Sequence, residues 1–226
     1  MKLLRPDLFD LNPRRKVQSV RIGEGRHHLV IIDDLFLHPR DINNLFNELP
    51  YTDDEQIRRA APTYRCSMLF PNRDEIYREV FEQHYQAYGI KLISEWATPS
   101  GFDQYFDASP IIKPVSYAPH VDLQEKTNYA LVIYMNERNI HGGTQFVRHT
   151  INGKEISNGK DEVFQQDTTI RFSTPWDYEP LEWQRYFLAP MRFNRLVSYR
   201  NNLLHGIYTD GSFYRNTPRK TIVGNF

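Results

Sequence analysis

Three side chains that could bind a metal ion stand at separate points of the sequence: His120 and Asp122, which flank Val121, and His205 far downstream. Two imidazoles and one carboxylate form the 2-His-1-carboxylate set that binds ferrous iron and leaves coordination positions open. Open positions are what a metal needs when it must take up a chelating cosubstrate and then dioxygen. The residue types therefore predict a ferrous iron site.

An arginine near the C-terminal end supplies the second part of the predicted site. A buried carboxylate needs a paired cation, and a guanidinium group binds carboxylates through two parallel hydrogen bonds. Arg219 opens the last predicted strand, and Thr221 lies on the same face, where its hydroxyl could donate another hydrogen bond. Arg215 is the competing candidate, in a stretch typical of a loop. Beside iron, these groups favour 2-oxoglutarate as a cosubstrate.

The residues of the metal set must be positioned by strands. Side chains at i and i+2 of a strand point to the same side, so His120 and Asp122 can face a barrel interior while Val121 faces away. His205 must then come from a distant strand or from the turn that follows one. Strands are expected at residues 28–33, 92–97, 102–106, 117–121, 129–135, 144–149, 195–199 and 220–226.

Helical patterns are concentrated in the first part of the chain. Apolar residues at helical spacing predict amphipathic helices at 39–49 and 74–88, and residues 181–188 are also expected to be helical. Asn152 and Gly153 form a turn dipeptide that could close a hairpin between 145–149 and 154–156. Helices first and many short strands later predict a mainly-β fold, with helices packed beside a β-sandwich in one domain.

Composition sets limits on compartment and partners. Lys plus Arg equals Asp plus Glu at 28 each, so nothing global attracts nucleic acid or an anionic membrane. Cys66 is the one cysteine, which excludes an intramolecular disulfide and fits a reducing compartment. The N-terminus lacks the apolar stretch of a signal peptide, and no segment approaches the length of a membrane span. We expect a cytoplasmic protein whose partners are dioxygen and a small-molecule or peptide substrate; the sequence leaves the oligomeric state open.

Beyond these single residues, most of the chain resembles a known superfamily. It is similar to the iron(II)/2-oxoglutarate-dependent oxygenases, and among them to the prolyl-hydroxylase-like branch. Five stretches carry the resemblance in chain order: the strand and helix at 29–49, the metal motif at 117–122 (YAPHVD), the strand at 129–136 (YALVIYMN), the glycine pair and strand at 142–146 (GGTQF), and the strand and turn at 194–206 that end in Leu-His-Gly.

The resemblance implies a fold and an organisation. The fold would be a double-stranded β-helix, a distorted jelly roll of the cupin-like type, flanked by helices. Residues 1–226 would form a single oxygenase-like domain, with an N-terminal arm at 1–27, helical support at 28–90, and a β-helix core at 91–226 that contains a lid-like insert at 150–190.

The resemblance also implies a site and a reaction. His120, Asp122 and His205 would bind Fe(II), and Arg219 with Thr221 would bind the distal carboxylate of 2-oxoglutarate, assisted by a tyrosine for which Tyr129 and Tyr117 are the candidates. Related halogenases lack the carboxylate of Asp122, so its presence favours hydroxylation, with release of succinate and carbon dioxide.

Two other classes are compatible with the same sequence. One is a catalytically silent jelly-roll binding protein, and the other is a cupin-type metal enzyme that does not use 2-oxoglutarate. A cupin does not require a buried cation beside its last strand. The arginine therefore separates the classes.

Overall fold

The computed structural model describes residues 5–51, 64–66, 73–80, 84–85, 104–109, 115–116, 119–122, 129–138, 142–158, 183–209 and 218–225. Two α-helices are assigned within these residues: α1 (Pro39–Leu45) and α2 (Arg73–Val80). The strands in the same residues are β1 (Lys16–Ile22), β2 (His27–Asp33), β3 (Tyr64–Cys66), β4 (Gln104–Ser109), β5 (Val115–Ser116), β6 (Tyr129–Tyr134), β7 (Gly143–His149), β8 (Trp183–Pro190), β9 (Arg195–Arg200), β10 (His205–Thr209) and β11 (Arg219–Asn225). No helix in the described part of the chain is long and apolar enough to cross a bilayer.

The strands form two antiparallel sheets. The larger sheet has the order β1-β2-β9-β6-β11-β4-β3, and the smaller has the order β5-β10-β7-β8. The eight strands from β4 to β11 therefore interleave, with β4-β11-β6-β9 in one sheet and β5-β10-β7-β8 in the other. This strand order is that of a jelly roll built from two Greek keys. It confirms the predicted fold class, a double-stranded β-helix with flanking helices.

Strand β6 shows how the larger sheet divides two cores. Tyr129, Leu131 and Ile133 pack on the outer face, in the same cluster as residues of α1 and α2. Alternate residues of β6, including Tyr134, pack on the inner face with residues of the smaller sheet. The rings of Phe146 from β7 and Tyr199 from β9 meet there, with centroids 5.1 Å apart. The two sheets thus face each other across an apolar and aromatic interior.

Several elements differ from the sequence-based expectations. The helix expected at 181–188 is wrong in its described part, because residues 183–188 belong to strand β8, which pairs with β7 from His149↔Trp183 to Gly143↔Pro190. Its aromatic residues suit a pleated sheet, and pairing with β7 satisfies its backbone groups. The turn at 150–153 forms, and the Gly153 amide donates to the carbonyl of His149 at 2.8 Å. The amide of His149 also donates to the carbonyl of Lys154 at 2.9 Å, as the expected hairpin requires, but the ladders of β7 are made with β8 and β10.

The N-terminal part also contains a strand that the sequence pattern does not reveal. Strand β1 pairs with β2 along its whole length, although its residues are mostly exposed. Helix α1 ends at Leu45, earlier than expected, and the strand expected at 92–97 lies outside the described residues.

Lys220 of β11 faces α1 and the residues that follow it. Its ammonium group donates to the side-chain oxygens of Asn43 and Asn47 at 3.1 Å.

Candidate metal centre

The structure brings the three predicted metal ligands together. One ligand atom from each of His120, Asp122 and His205 lies within 4.8 Å of the others, and no other such group of three occurs among the described residues. Asp122 Oδ2 is 3.1 Å from Nε2 of His205, and Asp122 Oδ1 is 3.8 Å from Nε2 of His120. Two imidazole nitrogens and a carboxylate therefore converge on a volume of the size that one metal ion requires.

Backbone pairing produces this convergence. His120 and His205 form an antiparallel bridge, with N–H···O distances of 2.9 and 3.1 Å, and the amide of Asp122 donates to the carbonyl of Asn201 at 2.9 Å. Val121 packs on the other side, against the cluster that contains Trp183. The alternation expected for an extended segment is therefore present at residues 120–122.

The imidazole of His205 is fixed in a form suitable for coordination. Its Nδ1 lies 2.8 Å from the carbonyl oxygen of Leu203. Because a carbonyl oxygen only accepts, Nδ1 donates this hydrogen bond, and Nε2, which faces the carboxylate of Asp122, is the ring nitrogen that could bind a metal. The ring of Tyr199, with its centroid 4.6 Å away, restricts the orientation further.

The centre is open on one side. The side chain of His205 is only 4% exposed, whereas those of His120 and Asp122 are 35% and 26% exposed. A ligand from solvent can therefore reach the three groups from the side of residues 120–122.

A buried cation lies on the inner face of β11. Arg219 is 2% exposed, and Thr221, two residues later, is fully buried. Within the described residues, neither Nε of Arg219 nor Oγ1 of Thr221 has a hydrogen-bond partner. Buried polar groups are nearly always paired, so these two fit a ligand that supplies acceptor oxygens, and a carboxylate suits both.

Tyr134 connects this cation to the metal centre. The guanidinium carbon of Arg219 lies 5.5 Å from the centroid of the Tyr134 ring, and Tyr134 pairs directly with Thr221 in the ladder. The hydroxyl of Tyr134 is 2.6 Å from Oγ1 of Thr144 in β7. Phe146 lies two residues after Thr144 in β7, about 7 Å away at strand spacing, and it pairs with His205. The cation and the metal centre thus face the same interior between the sheets, and we call the region that runs from Arg219 past Tyr134 and Thr144 to His205 the inter-sheet slot.

The position of Tyr129 differs from the sequence-based expectation. The structure does not bring Tyr129 to the slot: its side chain lies on the outer face of β6, with its ring centroid 4.1 Å from that of Tyr85. Tyr134, which the sequence reasoning missed, takes the inner position, because residues five apart in a strand point to opposite faces. Burial raises the pKa of Tyr134, so its hydroxyl stays protonated. Tyr117 and Arg215 lie outside the described residues.

The strand order and the converging side chains define a double-stranded β-helix with a candidate metal centre between its sheets. The chain belongs to a family of unknown function (DUF6445), which matches residues 13–217. No curated protein matches the sequence.

Three solved structures illustrate what the fold is similar to. A prolyl-4-hydroxylase from Pseudomonas putida has 14% identity and a TM-score of 0.46, over 89% of this chain and 93% of that chain. HygX from Streptomyces hygroscopicus, with nickel and 2-oxoglutarate bound, has 10% identity and a TM-score of 0.48, over 91% and 83%. An oxidoreductase of the 2OG-Fe(II) oxygenase family from Burkholderia pseudomallei has 12% identity and a TM-score of 0.43, over 87% and 82%. The strand order, and not these low similarities, defines the fold.

Proposed function

We propose that this protein is a non-haem iron(II), 2-oxoglutarate-dependent oxygenase that hydroxylates a small molecule or an amino-acid side chain, with release of succinate and carbon dioxide. One observation carries the proposal: an open His-Asp-His set shares its inter-sheet slot with a buried guanidinium whose Nε has no hydrogen-bond partner among the described residues. The metal set alone fits several metal enzymes. The cation at the other end of the slot is what a dicarboxylate cosubstrate needs.

In this proposal His120, Asp122 and His205 would hold Fe(II) through two imidazole nitrogens and one carboxylate. The hydrogen bond from Nδ1 of His205 to the carbonyl of Leu203 keeps Nε2 available at the metal. Bound iron supplies oxygen activation coupled to oxidative decarboxylation of the keto acid. The chain supplies the geometry and, through the buried side of the slot, the exclusion of water.

Arg219 and Thr221 bind the distal carboxylate of 2-oxoglutarate, and the protonated hydroxyl of Tyr134 contributes a third polar contact. Arg219 is the proposed anchor because its guanidinium is buried and its Nε lacks a hydrogen-bond partner among the described residues; Arg215, which lies outside those residues, is the alternative. The exposed side at His120 and Asp122 is then the side from which the primary substrate approaches. The carboxylate of Asp122 favours hydroxylation as the outcome.

The test is the visible charge-transfer band of the iron–keto-acid chelate, recorded without oxygen. Wild-type protein with Fe(II) and 2-oxoglutarate should develop the band, and His120→Ala should abolish it. His149→Ala is the matched control, because His149 is a buried histidine that packs against Trp183 and is not one of the three ligands. A folded wild-type protein that binds neither iron nor 2-oxoglutarate would indicate a silent binding protein. Iron binding without any response to 2-oxoglutarate would indicate a cupin-type enzyme.

A further inference from the structure

The turn that leads into His205 is held from two sides, while His205 itself also pairs with Phe146 of β7. On one side it pairs with residues 120–122, as described above. On the other side it pairs with residues 155–157: the amide of Leu204 donates to the carbonyl of Glu155, and the amide of Ser157 donates to the carbonyl of Asn202, both at 2.9 Å. The turn that leads into His205 is therefore held in part by a segment that contributes no metal ligand.

The side chain of Glu155 anchors that segment to the other end of the chain. Its carboxylate is 5% exposed and accepts hydrogen bonds from the backbone amides of Glu24 and Gly25, both at 3.0 Å. Nε2 of His27 lies 3.1 Å from the same carboxylate, and Arg148 lies 3.2 Å from it. Successive backbone amides of a turn form an anion-binding concavity, so the β1–β2 turn encloses the carboxylate.

Gly23 makes this enclosure possible. Its φ of +69° is in the left-handed region, and a Cβ at this position would lie 2.7 Å from Cδ and 2.8 Å from Oε1 of Glu155. The approach of the turn to the carboxylate thus requires a residue without a side chain.

We infer that Glu155 is a positioning residue of the metal centre. Its carboxylate fixes residues 155–157 on the β1–β2 turn, and these residues hold the turn that leads into His205. The inference rests on the proposed iron site. It adds that metal binding and the order of the β1–β2 turn are coupled, although the turn itself holds no ligand.

The first test compares Co(II) affinity, measured from the visible d–d absorption, among four variants. Glu155→Gln and Gly23→Ala should weaken Co(II) binding about 10- to 100-fold, the range typical of changes to the groups that orient metal ligands. Gly153→Ala is the control for backbone strain, since Gly153 has a φ of +70° and open space around its Cβ position. Asp33→Asn is the control for losing a buried carboxylate, since Asp33 pairs with Arg195 at 2.6 Å, away from the His205 turn. Both controls should keep the wild-type Co(II) affinity, whatever their effect on stability.

The second test needs no substitution. Coupling is reciprocal, so Co(II) binding to the wild-type protein should slow hydrogen exchange at the amides of Glu24 and Gly25 as well as at those of His120 and His205. Protection confined to the bridge between His120 and His205 would overturn the positioning role, as would Glu155→Gln binding Co(II) as tightly as the wild type. If the wild type binds no Co(II), the proposed metal site itself fails.

Discussion

Replacing Arg219 by methionine should separate cosubstrate binding from metal binding and from folding. The guanidinium is 2% exposed and Nε has no partner among the described residues, so a bound carboxylate would form a buried ion pair with it. Losing one partner of a buried pair costs about 3–5 kcal/mol. At about 1.4 kcal/mol per tenfold change, the affinity for 2-oxoglutarate should fall roughly 100-fold to 4,000-fold.

The stability of the ligand-free protein should respond differently. A desolvated cation whose Nε has no hydrogen-bond partner among the described residues adds little stability when the cosubstrate is absent, and methionine fills similar space without a charge. We therefore expect the free energy of unfolding of Arg219→Met, measured with urea and without ligands, to equal or exceed that of the wild type. The affinity for iron should not change, because Arg219 is not a ligand.

The assay is anaerobic titration of the iron-loaded protein with 2-oxoglutarate, followed through the charge-transfer band. Lys220→Met is the matched control: it removes the neighbouring positive charge of the same strand, on the face that contacts Asn43 and Asn47. Its affinity for 2-oxoglutarate should remain that of the wild type. If Arg219→Met binds 2-oxoglutarate normally, or if Arg215→Met has the larger effect, the assignment of the carboxylate anchor is wrong.

Three further substitutions test other parts of the structure. Tyr134→Phe should weaken 2-oxoglutarate binding roughly fivefold, because it removes a hydrogen bond of about 1 kcal/mol. Tyr129→Phe, on the outer face, should have no effect in the same titration. Equal effects of the two substitutions would contradict the faces assigned to the two tyrosines. Burial lowers the pKa of His28 from 6.5 to about 4. Between these pH values the unfolded chain binds a proton that the folded chain does not. The free energy of unfolding should therefore fall as the pH drops from 6.5 towards 4. His28→Gln should make that decline shallower in urea unfolding at several pH values, and an unchanged decline would refute the role of His28. Asn194 has a φ of +60° and its side chain bonds both the amide and the carbonyl of Phe36, so Asn194→Ala should cost about 3 kcal/mol of stability; a loss too small to resolve by urea unfolding would show that these bonds are not needed.

The spacing of residues sufficed to predict which side chains face the site within one strand. The alternation of side chains along an extended segment places His120 and Asp122 on one side and Val121 on the opposite side. In β11 it places Arg219 and Thr221 on the face opposite to that of Lys220. Such predictions depend only on the period of a strand, which the sequence displays directly.

The same rule could not decide between Tyr129 and Tyr134. Strand β6 is buried on both faces, so its sequence is a continuous apolar run without a polar side to mark the interior. Which tyrosine faces Arg219 follows from the ladder between β6 and β11, and this pairing is not visible in the sequence.

The long-range contacts of Glu155 are also not visible in the sequence. Glu155 follows a turn dipeptide, in residues 154–156, for which the sequence predicts only the second arm of a local hairpin. Its partners Glu24 and Gly25 lie 131 and 130 residues earlier, and only the packing of the β1–β2 turn against residues 155–157 makes it a buried acid. Strand β1 was missed for a related reason: most of its residues are exposed, so no apolar pattern marks it.

A crystal structure of the protein grown without oxygen, with Mn(II) and 2-oxoglutarate, tests the central claim most directly. We expect the metal on His120, Asp122 and His205, and the distal carboxylate of the keto acid on Arg219 and Thr221, both in the slot between the sheets. A metal bound elsewhere, or a keto acid whose distal carboxylate leaves Arg219 without a partner, would contradict the proposed function.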